Sequence, residues 1–171
     1  MLGMRVLTLV AIVAITIISS CSDDSSCSRE VSQDLLDAVD KAQLAIDNKL
    51  IDDYIAANSI TGVQEINGIK CVIQKEGDGL IPCLENTVVV TYKGSFMSNG
   101  NVFDSRQLSP AEFPLNALVL GWRMTFPSFP KGTKAILYLP SGYGYGPGGF
   151  PQGNIPPNAN LIFEIELLNV R

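Results

Sequence analysis

Histidine is absent from the 171 residues. Without imidazole the chain cannot assemble a Ser-His-Asp or Cys-His constellation, a zinc site that needs imidazole, or the usual proton shuttle near neutral pH. Basic charge is scarce: 12 Lys and Arg against 17 Asp and Glu leave a net charge of −5. With no basic face to meet phosphate backbones, the composition argues against nucleic acid as a partner. Neither a Walker A sequence nor a C-x-x-C pair occurs. Gly144-Tyr145-Gly146-Pro147-Gly148-Gly149 formally matches the dinucleotide fingerprint. That site needs a helix beginning there with free N–H groups on the pyrophosphate, and Pro147, Pro151, Pro156 and Pro157 forbid one. Acidic residues fall on helix faces or strand exteriors without clustering, so neither a metal nor a cofactor is expected.

What is present begins with an address. Met1 to Arg5 carries one positive charge, Val6 to Ile18 is apolar apart from threonines, and Ser19 and Ser20 precede Cys21. This is the layout of a secretory signal. The apolar run would span about 20 Å as a helix, short of the ~30 Å hydrocarbon core. Ile18-Ser19-Ser20-Cys21 resembles the bacterial lipobox, which implies removal of residues 1–20 and lipidation at Cys21. Residues 21–30 then read as an acidic, polar tether. Ser22-Asp23-Asp24-Ser25-Ser26 also resembles the acidic export signal of Bacteroidetes-type surface lipoproteins. The resemblance implies an outer-membrane lipoprotein, facing the periplasm or the cell exterior.

From Val31 to Asn58 there is no Gly or Pro, and Leu35, Leu36, Val39, Ala42, Ile46, Leu50, Ile51, Tyr54 and Ile55 recur at helical spacing. The spacing predicts a helical extension over 31–60, as one helix or two joined near Asp47-Asn48, starting at Ser32 with Asp34 and Asp37 close behind. It reads as a spacer or packing helix, with a dimerisation helix as the alternative.

The period then changes to two. Ile69, Cys71 and Ile73 alternate with polar residues, and Gly77-Asp78-Gly79 reads as a turn. Val88, Val90 and Tyr92, then Ala135 to Leu139, then Leu161, Phe163, Ile165 and Leu167 give three more half-buried strands. Leu120 to Thr125 is apolar enough for a short helix ended by Pro127. The expected class is α+β, an antiparallel sheet against one short helix.

Motifs spread over the rest of the chain point to a family. Val88-Val89-Val90-Thr91-Tyr92-Lys93-Gly94, Asn99-Gly100-Asn101-Val102-Phe103-Asp104-Ser105, Phe113-Pro114-Leu115-Asn116 and Gly121-Trp122 come first. Lys131-Gly132-Thr133-Lys134, Pro140-Ser141, Tyr143-Gly144-Tyr145-Gly146 and the run from Ile155-Pro156-Pro157 to Leu168 follow in order. Together they resemble the FKBP-type peptidyl-prolyl cis/trans isomerases, from about Gly68 to Arg171, within an isomerase domain set at 61–171. The resemblance implies a strongly bent sheet wrapped around the short helix, with an apolar pocket between them. It further implies catalytic roles for Tyr92, Asp104 and Tyr145, Asp104 as a buried carboxylate and Tyr145 as a hydroxyl on a flap loop. Trp122 matches the pocket floor, Phe103, Phe113 and Phe163 its walls, and Leu118, Val119 and Ile155 further substrate-binding positions, with the Val119 N–H meeting a substrate carbonyl. Two departures from the family stand out: the prolines Pro127 and Pro130 after Trp122, and a flap one residue longer at Phe150-Pro151-Gln152-Gly153-Asn154.

The resemblance implies a chain that acts on proline-containing polypeptides and assists folding of exported or outer-membrane proteins. A non-catalytic FKBP-like chaperone or surface-binding lipoprotein is the alternative. With Cys21 assigned to lipid, Cys71 and Cys83 are the expected disulfide, being within the domain and close in sequence, and Cys27 is left over.

Overall fold

The structure of the protein is a computed structural model and describes residues 27–171. The signal segment, Cys21 and Ser22 to Ser26 lie outside the described residues.

Two helices open the described residues, α1 (Gln33–Asp37) and α2 (Lys41–Ala57). The break falls at Ala38 to Asp40, not at Asp47-Asn48. Asp40 is extended, and its carboxylate accepts from the N–H groups of Ala42 (2.8 Å) and Gln43 (3.1 Å), satisfying two donors that a helix start leaves free. Ser32 precedes α1 without a side-chain cap bond. Asp47 does not interrupt α2; it is 1% exposed, on the face that also buries Ile51. The extension therefore packs on the rest of the protein rather than holding it at a distance.

Seven strands follow: β1 (Val63–Ile66), β2 (Ile69–Lys75), β3 (Thr87–Phe96), β4 (Val102–Ser105), β5 (Ala111–Pro114), β6 (Lys134–Leu139) and β7 (Leu161–Val170). Helix α3 (Leu120–Thr125) lies between β5 and β6. All pairings are antiparallel, in the order β1-β2-β6-β7-β3-β4, and β5 also pairs with β3. This is the expected α+β arrangement, an open antiparallel sheet with a short helix against it. Asn67 and Gly68, both at positive φ (50° and 77°), join β1 to β2 as a two-residue hairpin turn. Alternate residues of β7 (Leu161, Phe163, Ile165, Leu167) are buried against Trp122, Phe126 and Phe129 on and after α3. Pro127 confines α3 to Thr125; the chain continues as a single 3-10 turn, Phe126–Ser128, whose first turn tolerates a residue without an N–H.

Gly77-Asp78-Gly79 is not a hairpin turn, because β2 pairs with β1 and β6 and not with β3. It is a backbone crossing. A Cβ at Gly77 would sit 2.3 Å from the Lys131 carbonyl oxygen, so only glycine lets the chain pass over residues 130–133 there.

The expected Cys71–Cys83 disulfide is overturned. Cys83 is bonded to Cys27, with a Cα–Cα distance of 5.1 Å, and Cys71 is a free thiol with no exposure. The reason is facing: Cys71 points from β2 into the core, opposite Leu137 of β6. Cys83 lies on the irregular segment before β3, where Ser28 runs alongside and its carbonyl accepts from the Leu84 N–H at 2.7 Å.

Alkylation of the denatured, unreduced protein should therefore mark Cys71 and spare Cys27 and Cys83; label on Cys83 overturns the pairing. Reduction should lower unfolding stability by about 4 kcal/mol, the loop-entropy value for a 56-residue separation, seen as a lower denaturant midpoint.

Candidate active site

The cavity that matters is built at the crossing of β3, β4 and β7 over α3. In β3, Gly94 pairs with Asp104 of β4 on one side and Phe163 of β7 on the other. A Cβ at Gly94 would lie 2.5 Å from Cζ of Phe103 and 3.0 Å from Cε1 of Phe163. Glycine here opens the slot in which those two rings meet edge to face, 5.7 Å between centroids. Trp122 comes up from α3, edge-on to Tyr92 (5.5 Å, 86°) and Phe163 (5.3 Å, 81°) and stacked on Phe126 (4.9 Å, 22°). The indole is held on three sides and is 3% exposed. Its Nε1 finds no acceptor among the described residues.

Tyr92, Phe103, Asp104, Phe113, Leu118, Val119, Trp122, Tyr145 and Phe163 line one cavity of about 180 Å³. These positions span more than 70 residues of chain and include every predicted site residue on the sheet, α3 and the flap except Ile155. That residue is buried below the flap and bridges to Phe150 instead of lining the cavity. Phe113 stands 6.3 Å from Tyr92, placed by the pairing of β5 with the first half of β3. Leu118 and Val119 join the 3-10 turn Leu115–Ala117 to α3, and Val119 is the helix N-cap position, so its N–H has no intrahelical acceptor.

Asp104 departs from expectation. It lines the cavity, but on an edge strand that leaves it solvent-exposed rather than buried. Its Oδ2 accepts from the Tyr92 hydroxyl at 2.6 Å and its Oδ1 from the Ser105 N–H at 2.8 Å. Burial first, and then the bond to Asp104, push the Tyr92 hydroxyl well above the ordinary tyrosine range. Tyr145 is raised by burial and by the same carboxylate. Both phenols are therefore neutral donors across the physiological range. Of the two flap tyrosines only Tyr145 reaches the cavity; Tyr143 is buried toward the helical extension and Gly68.

Two contributors were not among the expected site residues, although Gly94 ends one of the family motifs and Phe150 lies in the longer flap. Gly94 acts through what it lacks, and Phe150, in the longer flap, stacks on Tyr145 (5.3 Å, 16°) while remaining 40% exposed. A φ-neutral glycine in a strand of alternating residues was the available signal for the first.

Comparison with known proteins now decides the family. Residues 81–168 match the family model described as FKBP-type peptidyl-prolyl cis-trans isomerase. The chain belongs to this family. An FKBP-type isomerase from Aeromonas hydrophila, FkpA, is 37% identical over 131 residues, 74% of this chain and 48% of that one. FK506-binding protein 1 of Candida glabrata is 41% identical over 108 residues, 60% of this chain and 93% of its own length. The crystal structure of a peptidyl-prolyl isomerase from Pseudomonas syringae superposes with a TM-score of 0.63 at 31% identity, covering 76% of this chain and 94% of that one. The chain spans about half the length of its bacterial relative from Aeromonas.

Within this FKBP domain, Gly94→Ala should cost about 1–3 kcal/mol through forced displacement of Phe103, although alanine suits strands better than glycine. Thermal unfolding and the near-ultraviolet aromatic signal would report it. The tyrosine shifts carry a sign as well. A phenol whose folded pKa is raised stabilises the fold fully below its unfolded value near 10 and progressively less above it. Stability should stay flat with respect to these groups from pH 7 to about 9 and fall beyond about 10. A shallower fall in Tyr92→Phe, with the share of Tyr145 remaining, checks the assignment.

Proposed function

We propose that the protein is a peptidyl-prolyl cis/trans isomerase acting on proline-containing segments of exported polypeptides. The observation that supports this reading is the aromatic cavity with two protonated phenols at its rim. An X-Pro amide exchanges over a barrier of about 18–20 kcal/mol because resonance holds it planar, which makes the uncatalysed step slow, tens to hundreds of seconds. Twisting the bond localises the nitrogen lone pair and lowers the charge separation across C–N. The twisted state is less polar than the planar one, so an apolar slot favours it relative to water.

In this reading the proline ring lies on the Trp122 indole, between Tyr92, Phe103 and Phe163. The Tyr145 hydroxyl and the Val119 N–H donate to substrate carbonyls and fix the axis about which the bond turns. Asp104, held by the Tyr92 hydroxyl and the Ser105 N–H, keeps Tyr92 in place as a wall. Every proton stays where it is, and none of these steps calls on a nucleophile or a general base. A barrier lowered by about 4–6 kcal/mol corresponds to roughly 10³- to 10⁴-fold acceleration.

The segment with the lipobox pattern supports work at a membrane surface as a lipid-anchored protein of the outer membrane, periplasm-facing or exposed. No helix among the described residues is long and apolar enough to cross a membrane.

Exchange of a short proline peptide, followed with the full chain, tests the activity. Tyr145→Phe should lower kcat/KM about fivefold, the worth of one hydrogen bond of ~1 kcal/mol. Trp122→Leu should lower it tenfold or more while circular dichroism stays native. A folded wild-type chain that binds the peptide without accelerating exchange overturns the enzyme and leaves a binding module.

A further inference from the structure

The buried carboxylate of α2 has no part in the chemistry above, yet it is attached to the flap. Asp47 is 1% exposed, and no lysine or arginine among the described residues forms an ion pair with it. Hydrogen bonds hold it instead. Oδ1 accepts from Gln43 Nε2 at 2.9 Å, and Oδ2 accepts from both the Ser141 N–H at 2.9 Å and the Ser141 hydroxyl at 2.5 Å. The Ser141 N–H is shared with Asn160 Oδ1 at 3.0 Å.

Ser141 and Asn160 are the two ends of the flap: the segment leaves the sheet after β6 and returns at Leu161, the first residue of β7. Between them the flap is tied to itself, by Asn158 N–H to the Gly146 carbonyl (2.9 Å) and by the reciprocal Phe150 and Ile155 bonds (2.8 and 3.0 Å). A loop tied internally moves as a body about its ends, so whatever fixes the ends fixes Tyr145. Beside this junction Val39 closes on Gly142, where a Cβ would come within 2.8 Å of Val39 Cγ1. Burying a carboxylate without a cation is costly unless each oxygen is satisfied, which makes this junction specific in geometry.

We propose that Asp47 is a positioning residue for the isomerase site: the N-terminal extension, through this one carboxylate, clamps the Ser141 end of the flap, to which Asn160 at the other end is bonded, and sets where Tyr145 meets the substrate. The inference rests on the isomerase reading and deepens it. It predicts an effect on substrate capture more than on the twist itself, because the clamp acts on a donor that orients the peptide.

The test uses the full chain, a proline peptide, and two readouts: exchange kinetics, and peptide affinity from the fluorescence of Trp122, the single tryptophan. Asp47→Ala, still cooperatively folded, should lower kcat/KM about threefold, and by no more than Tyr145→Phe does, mostly through KM, the equivalent of ~0.7 kcal/mol. Asp47→Asn keeps an acceptor for Ser141 and should restore most of that loss. In a Tyr145→Phe background Asp47→Ala should cost little more, since the donor it positions is already gone. If Asp47→Ala fails to fold, Ser141→Ala, which removes one bond to the carboxylate, should give the same pattern at smaller size. Unchanged KM and affinity in these variants, or losses that simply multiply with Tyr145→Phe, overturn the proposal. A wild type that binds but does not isomerise overturns the enzyme reading, with the clamp then judged on affinity alone; one that does neither overturns both.

Discussion

The site depends on the register between β3 and β7. Nine pairings from Val88 to Phe96 align the two longest strands, and that alignment sets the one glycine of β3 opposite Phe163 while β4 places Asp104 across from it. Shift β3 by one residue and its inward and outward faces exchange, so Tyr92 leaves the slot; the same slip in β7 removes Phe163. Either way Trp122 loses one of the two rings it meets edge-on. The short helix, the aromatic rings and the phenol–carboxylate bond are consequences of that pairing as much as of their own residues.

The chemistry matches what the composition allows. A chain with no imidazole has few ways to move protons at neutral pH, and amide rotation is a reaction that moves none. Burial and the Asp104 carboxylate raise both phenols further above their ordinary range, and in the proposed reading they serve as donors instead of acids. The proposed mechanism accordingly asks only for hydrogen bonds that orient and an apolar floor that favours a less polar transition state.

Much of the fold was legible because long-range order was written in short-range pattern. The alternation of Leu161, Phe163, Ile165 and Leu167 identifies β7, and the apolar run ended by Pro127 identifies α3. The edge strands were harder. β4 and β5 are four residues each and mostly exposed, so they carry little alternation to read. The hairpin of β1 and β2 went unread, although Asn67-Gly68 is the kind of turn pair that signals one and both residues adopt positive φ. In the site, family motifs selected residues that meet in one cavity, but they said nothing of Ile155 turning under the flap or of Asp104 standing in solvent. Nor could local pattern pair Cys27 with Cys83. A residue's facing, as with Cys71 inside β2, depends on the neighbour across the sheet, and the extension's partner is chosen by tertiary packing.

The Cys27–Cys83 bond also fixes how force travels through the molecule. Any pull on the chain before Cys27 reaches the domain directly at Cys83, through a covalent link, and bypasses both helices of the extension. From Cys83 it passes to Leu84 and Asn86, whose carbonyls accept from Asn116 and Leu115 at the entrance to the Leu118–Val119 wall. The residues between the two cysteines, Asp47 among them, lie off that direct path. Tension from the leading segment can thus reach one wall of the cavity without passing through the clamp on the flap.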